Sequence, residues 1–476
     1  MHLLVFGASG YIGSNLVPHL QAQGHQVRAT GRRQEVLEGR GWDGVELVSA
    51  DALDPASLCA ALNGINVAYY LVHSMGSGDD FEDRDRIAAE NFRSAAETAG
   101  VERIIYLGGL QPPGESTRHL RSRQETGDIL RAGPVPVTEL RAGIIVGAGS
   151  AAFEVIRDLV NHLPVMTTPR WVRSRTQPIA LQDLLEYLSR LLGLPVTEGK
   201  TYDFGGPETL SYGEMITQFA TAVGKRRWVI PVPVLTPRLS SYWLDLVTSV
   251  PASVARPLID GLRHDLLADD APLRELIPMP LHTYREAIEA ALRTERELPL
   301  PARWTEGSLA FRGYDPAVSF YSKGTRTELN AAVSAAAAWN AVRRIGGERG
   351  YYYADVLWRL RGLLDRVVGG VGMRRGRRHP TDLRPGDAID FWRVVALEPG
   401  RRLTLVAEMK VPGSAVLEFE VIPEGEANCR LVTTSRFHPS GFFGLLYWYA
   451  LLPVHGRIFV GMPRGILRYA RRLPAA

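Results

Sequence analysis

Residues 1–33, MHLLVFGASGYIGSNLVPHLQAQGHQVRATGRR, constrain the fold more than any other part of the chain. Residues 3–6 form an apolar run with the length and flanks of a buried parallel strand. Gly7, Gly10 and Gly13 follow at three-residue intervals. An amphipathic helix comes next, with Ile12, Leu16, Val17 and Leu20 on one face. Gly24 closes that helix, and residues 26–30 read as a second strand. A strand, a glycine turn and a helix start place backbone N–H groups and the positive end of a helix dipole around an anion. The stretch therefore reads as a pyrophosphate cradle opening a βαβ unit, built from Gly7, Ser9, Gly10, Tyr11, Ile12 and Gly13. A plain tight turn is the competing reading of a glycine triplet taken alone.

The end of the second strand bears on which nucleotide such a cradle would take. A carboxylate there would hold the ribose 2′-OH of NAD. This chain has Thr30-Gly31-Arg32-Arg33, and two guanidiniums suit a 2′-phosphate. NADP is the expected cofactor, with NAD the alternative. A solvated basic turn also accounts for the pair, because arginine is abundant throughout. Residues 45–49 form a third apolar run ahead of Asp51, Ala52 and Leu53, an acid and apolar residues placed to flank an adenine. Asp54 before Pro55 reads as a helix N-cap. A fourth strand over 67–72 carries Leu71 and leads into His73, at the end where doubly wound sheets bind ligands. A loop or cap histidine is the other reading of His73. A helix over 81–99, a strand over 103–107 ending in Gly108-Gly109, a helix over 119–132 and a strand over 137–145 follow. The alternation predicts an α/β fold, a Rossmann-type doubly wound parallel sheet covered on both faces.

At 476 residues the chain exceeds one compact core, so two domains are expected. The net charge is +4, and lysine occurs only at 200, 225, 323 and 410. That arginine bias is not read as a nucleic-acid footprint, and no nucleic-acid partner is expected. Cys59 and Cys429 stand far apart, which argues against a disulfide framework or a cysteine metal site. The first strand leaves no room for a signal peptide, and no stretch is read as a transmembrane helix, so a cytoplasmic protein is expected.

GASGYIG, LVHSM, YLGGL, the HLRSR helix, LRAGIIVGAGS, TQPIALQDL and DFGGPETLSYGEM occur in that order. Together they resemble the extended, atypical short-chain dehydrogenase/reductase superfamily, in particular its NmrA-like and YbjT-like NAD(P)-binding proteins, over roughly residues 1–300. The resemblance implies a nicotinamide nucleotide. It also exposes a departure. Active members of the superfamily carry a Tyr-x-x-x-Lys pair on the helix after the fifth strand. Here that place reads His119-Leu120-Arg121-Ser122-Arg123, with no tyrosine between Tyr106 and Tyr187 and no lysine before Lys200. His119 is a candidate acid/base, because imidazole titrates near neutrality. A polar residue on a helix face is its competing reading. Arg123 is a candidate for holding ribose hydroxyls, but it cannot trade protons at neutral pH. Some atypical members reduce quinones, and others hold NADPH as sensors or as an accessory subunit of respiratory complex I. The expected function is thus an oxidoreductase acting on a hydrophobic carbonyl or quinone-like compound. The alternative is a non-catalytic NAD(P)H-binding sensor or assembly protein.

Further along, Arg170, Trp171, Arg173 and Arg175 read as a solvated loop or a substrate mouth, and Ser211 with Glu214 as a capping box. Residues 231–257 are rich in Pro, Leu, Trp and Val. By resemblance they form a lobe over the nicotinamide, with Tyr242, Trp243 and Leu246 lining a pocket or packing between helices. Pro299, Pro301, Gly313 and Pro316 mark a linker, which divides the chain into a nucleotide domain over 1–298, a linker over 299–325 and a second domain over 326–476. In the second domain an alanine-rich helix over 331–345 precedes strands over 388–397, 402–410, 415–422 and 429–436, then an apolar helix from Phe442 and a further segment over 458–469. This α+β order resembles helix-grip, START-like domains. The resemblance implies a cavity for an apolar small molecule and, as a third reading, lipid or isoprenoid binding. Trp339, Trp358, Trp392, Phe419, Tyr447 and Trp448 are candidates for its lining or for ordinary core. GFFGLLYWYALLPV precedes Arg457, Arg464, Arg468, Arg471 and Arg472. Peripheral membrane contact through 441–472 and burial as the closing helix both fit, and burial is preferred.

Overall fold

The computed structural model describes residues 1–73, 81–231, 265–297 and 322–472, apart from 33, 39, 113, 115, 169, 371, 374–376, 378, 380 and 385. Arg33, the 231–257 lobe beyond its first residue with Tyr242, Trp243 and Leu246, and the 299–325 linker up to residue 321 lie outside the described residues. The chain divides into two compact units, Met1–Glu306 and Gly307–Ala476.

The main sheet of the first unit has seven strands among the described residues: β1 (His2–Phe6), β2 (Gln26–Gly31), β3 (Glu46–Ser49), β4 (Val67–Tyr70), β5 (Arg103–Gly109), β6 (Val137–Ala142) and β7 (Thr201–Phe204). They lie in the order β7-β6-β5-β4-β1-β2-β3, and every pairing is parallel. The helices are α1 (Tyr11–Ala22), α2 (Gln34–Glu38), α3 (Pro55–Leu62), α4 (Phe81–Ala99), α5 (Arg118–Arg131), α6 (Ala151–His162), α7 (Leu181–Arg190), α8 (Tyr212–Ala222), α9 (Ala271–Leu276) and α10 (Tyr284–Glu297). Alternate residues of β1 feed two separate cores. Leu3 and Val5 pack with Leu16, Val17 and Leu20 of α1. Leu4 and Phe6 face the other way, onto Ala89, Phe92 and Ala96 of α4. That two-sided burial is why β1 reads as a continuous apolar run rather than an alternating one. The order reverses at β1, which lies between β2 and β4. The crevice for a ligand therefore opens at the carboxyl ends of β1 and β4. The expected caps form: Asp54 accepts from Ala56 N–H at 3.1 Å, and Ser211 with Glu214 completes a capping box.

The second unit holds a six-stranded antiparallel sheet: β8 (Lys323–Ala331), β9 (Ala388–Ile389), β10 (Trp392–Glu398), β11 (Arg402–Ala407), β12 (Gly413–Pro423) and β13 (Cys429–Pro439), in the order β8-β13-β12-β11-β10-β9. Its helices are α11 (Ala335–Val342), α12 (Asp355–Val367) and α13 (Gly441–Ala470). Two expectations need correction. The expected linker to residue 325 runs into β8, and the expected helix from 331 starts at Ala335. The strand KGTRTELNA has almost no apolar alternation to announce it, and its partner β13 supplies the ladder. The apolar tail is one helix of 30 residues that continues through Pro453 and Pro463, so by length and composition it is sufficient to cross a membrane. Proline removes one donor and crowds one turn. Burial of Trp448, Ile458, Phe459, Met462 and Ile466 holds the helix on both sides of Pro453. Trp339, Trp358, Trp392 and Phe419 belong to the buried core of this unit, Trp448 is buried against Phe437 at a ring separation of 5.9 Å, and Tyr447 is half-buried.

Candidate functional site

The cradle has the shape expected of it. Gly7 sits at φ +96°, and a Cβ there would come within 3.1 Å of the Leu71 backbone. A Cβ on Gly13 would lie 2.5 Å from the Gly7 carbonyl oxygen and 2.7 Å from Ala8 Cα. Only glycine lets α1 start this close under the loop. Gly10 caps α1 without a side-chain hydrogen bond, which leaves the first-turn N–H groups aimed at the loop's mouth. Ala8 N–H ties the loop to the Thr30 carbonyl of β2 at 2.9 Å, and the Tyr11 carbonyl accepts from Asn15 at 2.8 Å. Ile12 is half-buried behind the loop.

Beside the cradle, Arg32 is exposed at the end of β2. A second guanidinium stands there that the sequence did not single out. Arg40 donates to the Ser9 carbonyl at 3.0 Å, while its Nε and Nη1 are buried with no partner among the described residues. Buried guanidinium donors without an acceptor fit an anionic group that the protein itself does not supply. Past β3, Asp51 accepts from Leu53 N–H at 3.0 Å and Asn91 donates to the Ala52 carbonyl at 3.1 Å, which leaves the Leu53 side chain 40% exposed at the rim. A nicotinamide nucleotide fits these residues: the glycine loop for the pyrophosphate, Leu53 and Asp51 for the adenine side, and Arg32 with Arg40 for an anion on the ribose.

At the ends of β4 and β5 two residues named from sequence, 46 positions apart, come into contact. His73 Nε2 and His119 Nδ1 are 2.9 Å apart, and His73 Nδ1 is 2.7 Å from Asp85 Oδ2. Asp85 lies on α4, is 4% exposed, and also accepts from Ser122 Oγ at 2.9 Å. The result is a chain from carboxylate to imidazole to imidazole, and the Nε2 of His119 takes no part in it. Burial lowers the His73 pKa, opposed by Asp85. Burial holds His119 down to about 3, and His73 and Arg123 add to the effect. His119 is thus a neutral ring at pH 7. Both rings are shifted toward the neutral form, and the Asp85 carboxylate opposes that shift on His73, so a proton taken up by the chain resides on His73. Arg123 donates to the Leu107 carbonyl, its Nε is buried without a partner among the described residues, and Tyr106 donates to the Arg123 carbonyl at 2.9 Å. Arg123 thereby helps to fix α5 against β5.

Asp85 and Arg40 were the residues that sequence reasoning missed. Asp85 had a signal, since it falls in the buried stripe of α4 with Ala88, Ala89 and Phe92. A carboxylate in such a stripe needs a partner. Arg40 follows a short helix and has no periodic cue.

The histidine chain also predicts an acid-sensitive stability. His119 binds its proton near pH 3 when folded and near 6.5 when unfolded, so the unfolded chain takes up more protons between those values. Stability contributed by His119 is full above pH 6.5 and is lost as pH falls toward 3. In urea titrations, the drop in unfolding free energy from pH 7 to pH 4.5 should be smaller in His119→Gln by about 2–3 kcal/mol, at ~1.4 kcal/mol per unit over the two units crossed. Identical drops in both proteins would show that His119 is not held neutral by the fold.

Comparison with known proteins places this geometry in a class. Residues 7–141 match the family described as NAD(P)H-binding, and residues 321–462 match a family described as a protein of unknown function, DUF2867. Residues 7–141 of the first unit are therefore similar to NAD(P)H-binding domains, and the sheet that carries them is of the Rossmann type. Over 232 residues the chain is 28% identical to a (4-alkanoyl-5-oxo-2,5-dihydrofuran-3-yl)methyl phosphate reductase of Streptomyces griseus, covering 47% of this chain and 74% of that protein. It is 26% identical over 228 residues to the NADH dehydrogenase [ubiquinone] 1 alpha subcomplex subunit 9 of Dictyostelium discoideum, covering 44% of this chain and 61% of that one, less than two thirds of its length. Triphenylmethane reductase of Citrobacter sp., also solved in complex with NADP(H), shares the fold, with a TM-score of 0.52 and 21% identity over 62% of this chain and 100% of that one.

Proposed function

We propose that this chain is an NADPH-dependent reductase of a hydrophobic carbonyl or quinone-like small molecule. The observation that carries the reading is the Asp85–His73–His119 chain, which stands where the superfamily's tyrosine and lysine are missing. Bound NADPH would supply a hydride to carbon. The residues of the chain handle the proton. When the chain takes up one proton from solvent, Asp85 is ionised and His73 doubly protonated; His73 Nε2–H then donates to His119 Nδ1, and His119 carries its own proton on Nε2. That proton passes to the substrate oxygen as the His119 Nε2–H bond breaks and the O–H bond forms. The proton on His73 Nε2 then passes to His119 Nδ1, while His73 Nδ1–H stays on Asp85. The triad goes from neutral to a single negative charge, held on Asp85 by hydrogen bonds from His73 and Ser122. The Streptomyces relative, a reductase whose name describes an alkanoyl-substituted furanone, supports a conjugated carbonyl with an alkyl tail as the substrate class.

NADPH and NADH titrations by calorimetry, followed by nicotinamide oxidation with a panel of quinones and conjugated ketones, test the reading. If neither nucleotide binds, the proposal fails at its base. The preference for NADP is assigned to Arg32 and Arg40. Arg40→Gln should weaken NADPH by about tenfold and leave NADH within about twofold, because only the 2′-phosphate needs the guanidinium. Equal losses for both nucleotides would assign Arg40 to the loop alone.

The absence of the Tyr/Lys pair and the similarity to the Dictyostelium subunit favour a second reading, a nucleotide-holding accessory protein. Tight NADPH binding with no oxidation across the panel would select it. For the second unit, the antiparallel sheet and its long helix support a helix-grip, START-like domain.

A further inference from the structure

Helix α12 is amphipathic, and its apolar face points outward. Val356, Leu360, Leu363, Leu364 and Val367 recur at helical spacing and are between 50% and 78% exposed. The opposite face, with Trp358, Gly362 and Asp365, is the buried one. A globular helix normally hides its leucines and shows its charges. Helix α13 repeats the pattern at its start, where Phe442, Phe443 and Leu446 are 52%, 73% and 53% exposed. An eighteen-residue stretch of α13 is only 28% buried. The Arg361 guanidinium of α12 lies 5.6 Å from the centre of the Tyr447 ring, which puts the two helices side by side.

The exposed charges on these helices have one sign. Arg359, Arg366, Arg457, Arg464 and Arg468 are exposed, and α13 contains no acidic residue. The two acids of α12 are used inside the fold. Asp355 accepts from Tyr351 N–H at 2.7 Å, and buried Asp365 accepts from the N–H groups of Gly372 at 2.7 Å and Lys410 at 2.6 Å. A protein-binding helix face usually carries both signs at its rim. Exposed leucine, valine and phenylalanine on helices whose exposed charges are all arginine, Arg359 and Arg366 beside the leucines of α12 and Arg457 onward along α13, match an anionic lipid surface, where the apolar chains enter the interface and the guanidiniums meet phosphates.

We propose that α12 and the first half of α13 form a docking surface for an anionic bilayer, with the helices lying in the interface rather than crossing it. Full-length protein should float with vesicles of phosphatidylcholine containing about one third phosphatidylglycerol, and at least about tenfold less with pure phosphatidylcholine. Leu360→Ser with Leu363→Ser should abolish flotation. Arg359→Gln with Arg366→Gln should lower it severalfold and flatten its salt dependence. The substituted side chains are exposed, so thermal unfolding and NADPH affinity should match the parent protein, which separates a lost surface from a lost fold. Absence of flotation, or flotation indifferent to the leucine pair, overturns the proposal. So does sedimentation showing that the leucine pair instead breaks a dimer, or holds a protein partner in place of lipid.

Discussion

His119→Gln is expected to lower the rate of NADPH oxidation with an accepted substrate by about 100- to 1000-fold, with NADPH affinity changed by less than about twofold. Glutamine keeps a hydrogen bond to His73 Nε2 but has no proton to deliver. The loss should appear in kcat and kcat/KM together, because the proton is needed only as charge develops on the substrate oxygen. Asp85→Asn probes the far end of the same chain. Asparagine still reaches His73 at the 2.7 Å now spanned by the carboxylate, but it carries no charge to balance a cationic His73. Turnover should fall about tenfold or more, with the pH profile moving to lower pH. A structural role for Asp85 would leave that profile in place. Undiminished turnover in His119→Gln would remove the histidine chain from the reaction and leave the nucleotide site intact.

Gly13→Ala is expected to abolish measurable nucleotide binding, with an affinity loss beyond about 100-fold. The new Cβ would sit 2.5 Å from the Gly7 carbonyl oxygen and 2.7 Å from Ala8 Cα, both backbone atoms that no rotamer change can move. The loop or α1 must shift, and either movement turns the first-turn N–H groups away from the pyrophosphate. Calorimetric titration with NADPH reads the affinity. Thermal unfolding should show the first unit weakened by about 1–3 kcal/mol. Retained binding would mean that the cradle is not where the nucleotide sits.

These two sites were legible to different depths in the sequence. The cradle could be read almost completely, because a strand, a glycine turn and a helix start are local features set by neighbours along the chain. Helix caps such as Asp54 and Ser211 were legible for the same reason. His73 and His119 were each identifiable by position at a strand end and in a helix. Neither position announces a contact between the rings, nor that Asp85 would complete the chain. Arg40 is the opposite case, since one arginine among many gains its meaning only from the Ser9 carbonyl it touches.

In the second unit the local rules misled at two places. Proline at 453 and 463 argues for a broken helix, yet packing on both sides keeps α13 continuous. Strand β8 lacks an apolar alternation, yet β13 offers it a full ladder. What the sequence by itself determined is the order of the elements, the parallel nucleotide-binding sheet and its glycine cradle, because backbone conformation and periodic burial depend on residues close in the chain. The tertiary structure alone decided that Asp85, His73 and His119 come into hydrogen-bonding contact, and that the leucines of α12 face outward. Distance and desolvation depend on residues far apart in sequence, and both are set only when the elements pack.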